Sequence, residues 1–196
     1  MNNLLKKNLI ELREIIFHIE KFNDKIEHSA FLIAEAFNSH NKLLLCGNGG
    51  SAAEAQHIAA EYVSSLRHEF KRKSLPAIAL TTDTSFITAS GNDYGFDTIF
   101  ERQIESIGYK GDVLIAISTS GSSTNVIKAI ELAKNKGIKI IGFTGRDGGK
   151  MKYLCDVLFN VPADDTGRIQ ECHLFLEHNI VELVEQKLFK DEDEGG

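Results

Sequence analysis

The sequence predicts an α/β fold, a three-layer sandwich in which helices cover both faces of a five-stranded parallel sheet. Three observations predict it. Five short apolar runs, at 42–46, 77–80, 112–117, 139–144 and 157–161, alternate with segments of helical length and spacing. Two of those runs end in small polar turns that lead directly into helices, as parallel strand–helix units do. Ahead of the first run, residues 3–40 carry two apolar stripes at helical spacing, so extra N-terminal helices precede the sheet.

In the first N-terminal stripe Leu4, Leu5, Leu9, Leu12, Ile15, Ile16 and Ile19 recur at helical spacing; in the second, Ile26, Ala30, Ile33, Ala34 and Phe37 do. Asn23 and Asp24 read as the break and cap between the two helices. The first helix has more apolar surface than a solvent-facing arm requires. It is expected to bury that stripe, on a partner subunit or in the monomer core, and the sequence leaves both open.

The strand at 42–46 is followed by Gly47, Asn48, Gly49, Gly50 and Ser51 and then by a run of helix formers. The glycines permit a tight turn with positive φ and close backbone approach to a ligand, and Ser51 reads as the helix N-cap. The first N–H groups of a helix lack internal partners, so this turn is an anion site that suits a phosphate. On the same helix His57 and Glu61 are four residues apart and share a face. A Gly-rich connection with a solvent-facing His and Glu is the competing reading, and this stretch alone does not separate the two. Gly47, Gly49 and Ala52 also fit a dinucleotide fingerprint, but the acid expected about 20 residues on is missing; the first one ending a later strand is Asp83.

Further along, a basic run at 67–73 reads as a solvated loop, although Arg67 is long enough to reach a substrate phosphate. A second buried strand is predicted at 77–80 after Pro76, a short helix at 81–90, and a polar loop at 91–95. Asn92 and Asp93 in that loop have the chemistry to bond sugar hydroxyls; ordinary turn chemistry is the alternative. A helix at 96–107 precedes the third strand, which ends in Ser118, Thr119, Ser120, Gly121, Ser122 and Ser123 before a helix from about 125 to 136. Hydroxyls and free N–H groups at a helix start form a second anion site. Gly137 ends that helix. The last helix is predicted at Thr166–Phe189, with Gln170, Leu174 and His178 on one stripe and His173 off it.

At 196 residues the chain is expected to form one domain over 1–190, followed by an acidic, disordered tail at 191–196. The net charge is −6, of which the tail supplies four negatives, leaving about −2 for the folded body. That excludes the dense basic surface a nucleic-acid partner requires, while a local donor cluster still suffices for one phosphate. No apolar run is long enough for a membrane span, and the N-terminus has no signal-peptide core. With Cys46, Cys155 and Cys172 odd in number and lacking C-x-x-C spacing, a disulfide framework is not expected, and the expected location is the cytoplasm.

These motifs together resemble the sugar isomerase (SIS) domain family, and within it the phosphoheptose isomerases. The likeness rests on Asn48, Gly49, Gly50 and Ser51; on Gln56, His57 and Glu61; on Asn92 and Asp93; on the hydroxyl turn at 118–123; and on Arg168, Ile169, Gln170, Glu171 and His178. It spans nearly the whole chain. The resemblance implies a flavodoxin-like SIS sheet and an aldose–ketose isomerase acting on sedoheptulose 7-phosphate to give D-glycero-D-manno-heptose 7-phosphate, the first step of heptose supply for lipopolysaccharide and other surface glycans. It implies substrate binding by Asn48, Gly49, Gly50, Ser51, Glu61, Asn92, Asp93, Ser118, Thr119, Ser120, Ser123 and Gln170. It further implies a zinc ion on His57, Glu61, Gln170 and His178, catalysis by Glu61 as base and His178 as acid, and a homotetramer with the N-terminal helices at its interfaces. Some members have Asp before the Arg-Ile-Gln run where this chain has Gly167, with Asp164 and Asp165 upstream, so a role for that Asp does not transfer. The competing readings are a non-catalytic SIS module that binds a phosphosugar or a replication initiator, and an isomerase of another phosphosugar.

Overall fold

Side chains alternate across the strands, and this sorts the core into two layers. In the computed structural model, which describes residues 3–67 and 71–189, Leu43 and Leu45 face one layer while Leu44 and Cys46 face the other. Val113, Ile115 and Ile117 likewise oppose Leu114 and Ala116. Strands buried on both faces read as continuous apolar runs, which is why 42–46 and 112–117 were legible as strands.

The strands are β1 (Leu43–Gly47), β2 (Ala77–Ala79), β3 (Val113–Ile117), β4 (Lys139–Gly145) and β5 (Val157–Val161). They form one parallel sheet in the order β2-β1-β3-β4-β5, the five-stranded parallel architecture the sequence predicts. The helices are α1 (Leu4–Ile19), α2 (Asn23–Asn38), α3 (Gly50–Val63), α4 (Thr84–Asp93), α5 (Glu101–Ile107), α6 (Thr124–Asn135) and α7 (Thr166–Phe189). Helices α1, α2, α3 and α7 pack on one face, and α4, α5 and α6 on the other. The chain reverses direction across the sheet between β1 and β3. In such sheets ligands bind at that point, outside the carboxyl ends of the strands. Gly47 pairs with Ile117 there, so the two polar turns leave the sheet side by side.

Several local expectations are corrected. Strand β2 is a half-exposed strand of three residues at the sheet's edge, with Ile78 exposed; among the described residues no strand pairs on its outer side. Asn23 is the first residue of α2 and makes no capping hydrogen bond; a 3₁₀ turn at Glu20–Phe22 provides the break instead. Ser51 lies inside α3, whose N-cap is Gly49 with φ of 56°. Asn92 and Asp93 are the last turn of α4 and are not in a loop. Asp83 starts that helix by accepting the Phe86 N–H at 2.9 Å, and Gly95, with φ of 92°, ends the following turn.

Helix α1 buries only Ile15 and Ile19; Leu4, Leu5, Leu9, Ile10, Ile16 and Phe17 are exposed. Beside it lies a mainly apolar groove of ≈ 410 Å³, lined among others by Ile16, Phe17, Ile26 and Phe175. The basic run is only partly solvated: Arg67 pairs with Glu182 at 3.0 Å, whereas Arg72 is buried against Glu185. His68, Glu69 and Phe70 of that run, and the acidic tail, lie outside the described residues.

Candidate active site

The first polar turn leaves β1 at Gly47, where a Cβ would lie 2.6 Å from the Ser51 carbonyl oxygen. Only glycine permits so tight a return of the chain. The backbone then starts α3, with the Ser51 N–H bonded to the Asn48 carbonyl and the Ala52 N–H to that of Gly49. Gly50 faces α7: a Cβ there would come within 2.5 Å of the Gln170 side-chain amide and displace it. Gln170 Nε2 also donates to Ser51 Oγ at 3.3 Å. The turn therefore touches α7 directly.

The second polar turn leaves β3. Ser118 Oγ lies 2.9 Å from Ser123 Oγ and 3.4 Å from Ser120 Oγ, and Ser120 Oγ accepts the Ser122 N–H. These hydroxyls draw into one ring of donors and acceptors at the start of α6, where the N–H groups are free of helical partners. The Gly145 N–H donates to the Thr119 carbonyl at 3.0 Å and fixes the turn to the end of β4. The two turns are then locked together by Asn48 and Asn125, whose amides exchange hydrogen bonds of 2.9 and 2.8 Å. Asn125 is buried and was not among the candidate site residues, because the sequence reading took it only as the start of the helix at about 125–136.

Helices α3 and α7 lie side by side: Ser51 meets Gln170, and about two turns further along each helix His57 meets His178. The two imidazole Nε2 atoms are 2.9 Å apart, and Glu61 Oε1 is 3.6 Å from His57 Nε2. Two ring nitrogens at that distance require one to donate and the other to accept. Burial, and then the neighbouring His57, lower the His178 pKa from its ordinary value, while Glu61 opposes that shift. An open cleft of ≈ 370 Å³ adjoins this pair, lined by Gly50, Glu54, His57, Gln170 and Leu174 among others. Glu61 and His178 thus share one seam, as the predicted pairing of the two helices requires. His57, Glu61 and His178 converge without closing a metal site: among the described residues no group of three or more His, Cys, Asp or Glu is arranged to hold an ion.

Behind the cleft the same helices bury Glu54, His173 and Glu177. His173 Nε2 is 3.0 Å from the Thr144 carbonyl, which can only accept, so this nitrogen carries the proton and Nδ1 presents a lone pair. Nδ1 faces Glu54 Oε1 at 3.6 Å. Burial pushes the Glu54 carboxyl up to about 7 and the His173 imidazole down to about 4. Glu177, fully buried beside Glu54, is raised well above the ordinary carboxylate value by the same loss of solvent and by its neighbour's charge. Neighbouring carboxyls in a dry site hold a proton between them because both cannot ionise. Glu54 was legible in principle: residues 54, 57 and 61 fall on one helical face. His173 is off the Gln170–His178 stripe and is wholly buried.

The remaining candidates lie apart. Asn92 and Asp93 are exposed and bond each other at 2.7 Å; among the described residues no hydrogen bond or ion pair joins them to the other site residues. Asp165 caps the start of α7 by accepting the Arg168 N–H at 3.0 Å, and Asp164 pairs with Arg146 on the surface.

Comparison with known proteins is consistent with this geometry. A model of the SIS domain family matches residues 9–145. The phosphoheptose isomerase of Aliarcobacter butzleri is 51% identical over 185 residues, covering 94% of this chain and 97% of the relative. That of Aneurinibacillus thermoaerophilus is 49% identical over 194 residues, 97% of each chain. The solved phosphoheptose isomerase of Neisseria gonorrhoeae superposes with a TM-score of 0.88 at 42% identity, covering 94% of this chain and 98% of that one.

Proposed function

We propose, because the chain belongs to the SIS domain family and within it to the phosphoheptose isomerases, that it converts sedoheptulose 7-phosphate to D-glycero-D-manno-heptose 7-phosphate in the cytoplasm, at the start of heptose supply for surface glycans. The observation that carries the reading is the seam where α3 and α7 bring His57, Glu61 and His178 together beside the Gly47–Ser51 turn. Residues 1–190 act as one SIS domain in this account.

The phosphate sits in the hydroxyl turn, held by Ser118, Thr119, Ser120 and Ser123 and by the first N–H groups of α6. Asn48, Gly49, Gly50, Ser51 and Gln170 hold the sugar chain between the turns, and Asn92 and Asp93 contact its hydroxyls. Aldose–ketose isomerisation moves one proton between C1 and C2 through an enediolate. Glu61 takes the proton from C1 and returns it to C2, while His178 gives a proton to O2 and takes one from O1. An imidazole kept neutral by its surroundings is suited to that exchange between two oxygens.

Zinc suits the chemistry of the donors at this seam, two imidazole nitrogens with a carboxylate and an amide oxygen. His57, Glu61, Gln170 and His178 would hold it. When bound it polarises the substrate carbonyl and stabilises the enediolate.

The exposed apolar face of α1 and its groove support a homotetramer, since patches of this kind in soluble proteins are covered by partners. A coupled assay with sedoheptulose 7-phosphate tests the activity. Turnover that disappears in Glu61→Gln and His178→Ala supports it; full turnover in both variants, or none in the wild type, removes it. Light scattering that gives only monomer would remove the tetramer.

A further inference from the structure

A charge with a fully buried side chain lies outside the seam but grips both of its helices. Arg72 follows α3 in sequence, and its side chain is fully buried. Its Nε donates to Glu185 Oε1 at 2.7 Å on α7. Its two terminal nitrogens bind carbonyls: Nη2 that of Glu61 at 2.8 Å, and Nη1 those of Tyr62 at 2.9 Å and Lys73 at 3.0 Å. Glu185 Oε1 also accepts the Leu66 N–H at 3.4 Å. One guanidinium thus ties the last turn of α3, at the residue that carries the base, to α7 at Glu185. Glu185 lies seven residues beyond His178, two turns along the same helix face.

We propose that Arg72, with Glu185 as its anchor, is the positioning residue for the Glu61 base. The carbonyls at the end of α3 have no helical donors, and a cation at that end of a helix is favourable. Fold stability alone does not require such a pair. Replacing a buried ion pair by well-packed apolar side chains is often neutral or stabilising. Apolar side chains cannot hold the carbonyl of Glu61 in place, and the planar guanidinium fork can. It fixes the rotation and the axial position of the last turn of α3, and through them the distance from the Glu61 carboxylate to His178 and to the substrate. The proposal rests on the isomerase reading for its kinetic effect and on geometry alone for its structural effect.

The test uses the full chain with sedoheptulose 7-phosphate as probe. In Arg72→Met/Glu185→Met the pair is replaced by side chains that can fill the same space. The expected result is a thermal midpoint within a few degrees of wild type, KM within about twofold, and kcat lowered by about 10- to 100-fold, the scale on which a misplacement of roughly 1 Å acts. The pH profile of kcat keeps its wild-type shape, because the same acid and base remain. In the variant's crystal structure the Glu61 carboxylate is displaced relative to His178. Wild-type kcat in the folded variant, or a Glu61 carboxylate that superposes on the wild-type position, overturns the proposal. Should the double variant fail to fold, Arg72→Lys decides by the same two readouts, since lysine keeps the charge near Glu185 and loses the fork to the carbonyls. An inactive wild type would sink the isomerase reading alone; the position of Glu61 in the variant would still judge Arg72.

Discussion

On one face of the sheet, α4, α5 and α6 pack Ile99, Phe100, Ile104, Val126, Ile130 and Ala133 against Leu44, Leu114 and Ile140, and these helices bury no ionisable side chain. On the other, α3 and α7 pack an equally apolar layer but bury Glu54, Tyr62, His173, Glu177 and Glu185 within it. Among the described residues, several of their buried polar atoms have no partner at ordinary hydrogen-bond distance, Glu54 Oε1 and the Tyr62 hydroxyl among them. Each such group costs on the order of 1–3 kcal/mol. The helices of one face thus bury no ionisable group, whereas those of the other bury several beside the seam. Glu54, His173 and Glu177 lie behind His57, Glu61 and His178, so the proposed reaction would run against a dry, polar wall.

The largest effect belongs to the seam. Glu61→Gln and His178→Ala are each expected to lower kcat by about 10²- to 10⁴-fold while the thermal midpoint holds, as loss of a general base or acid does. Steady-state kinetics and a thermal melt of the same sample check this together. The apolar face should behave in the opposite way. Phe100→Ala, at a site only 1% exposed, is expected to cost about 3–5 kcal/mol in urea unfolding while kcat per folded molecule stays at the wild-type value. A seam variant that unfolds, or an apolar-face variant that loses turnover while folded, would break the contrast.

The hydroxyl turn should respond more gently. Ser123→Ala removes one partner of the Ser118 hydroxyl and one proposed phosphate contact. A hydrogen bond to a charged group is worth about 1.5–3 kcal/mol, so KM should rise by about 10- to 100-fold with kcat little changed. The smallest effect sharpens the comparison through pH. Glu54 is raised to about 7 and Glu177 well above its ordinary value, so the folded chain keeps protons that the unfolded chain releases near pH 4. Stability from these groups is full below that pH and falls as pH rises through the folded values. Glu177→Gln abolishes one of these titrations, and the thermal midpoint should rise by about 2–4 °C at pH 8 and by much less at pH 4.5. An equal shift at both pH values would show that the carboxyl proton is not the cause.

Much of this layout was legible in the chain. Strand β5 and helix α7 fall on their predicted bounds, because one is a short apolar run and the other a long uninterrupted helical pattern. The two polar turns followed from the strand–turn–helix order, and spacing put His57 with Glu61 on one face and Gln170 with His178 on another; that these two faces meet was implied by the family resemblance alone. Other features were hidden for physical reasons. Gly91, Asn92, Asp93 and Gly95 read as a loop by local chemistry, yet the Asp83 cap carries α4 through Asp93. Arg72 sits in a run of charges that looks solvated, and only the fold reveals that Tyr62, Glu61 and Glu185 surround it. Glu177 is a charged residue in a helix, and its burial depends on α3 lying against it. Sequence spacing shows which residues share a face. It does not show what covers that face.

In the proposed reaction Glu61, delivered by α3 against α7, moves the proton between the two sugar carbons. Incubating the enzyme with sedoheptulose 7-phosphate in deuterated water and following the C1 protons by NMR tests it most directly. The wild type is expected to exchange a C1 proton for deuterium, and Glu61→Gln, though folded and able to bind the sugar, is not. Exchange in Glu61→Gln at the wild-type rate would contradict it.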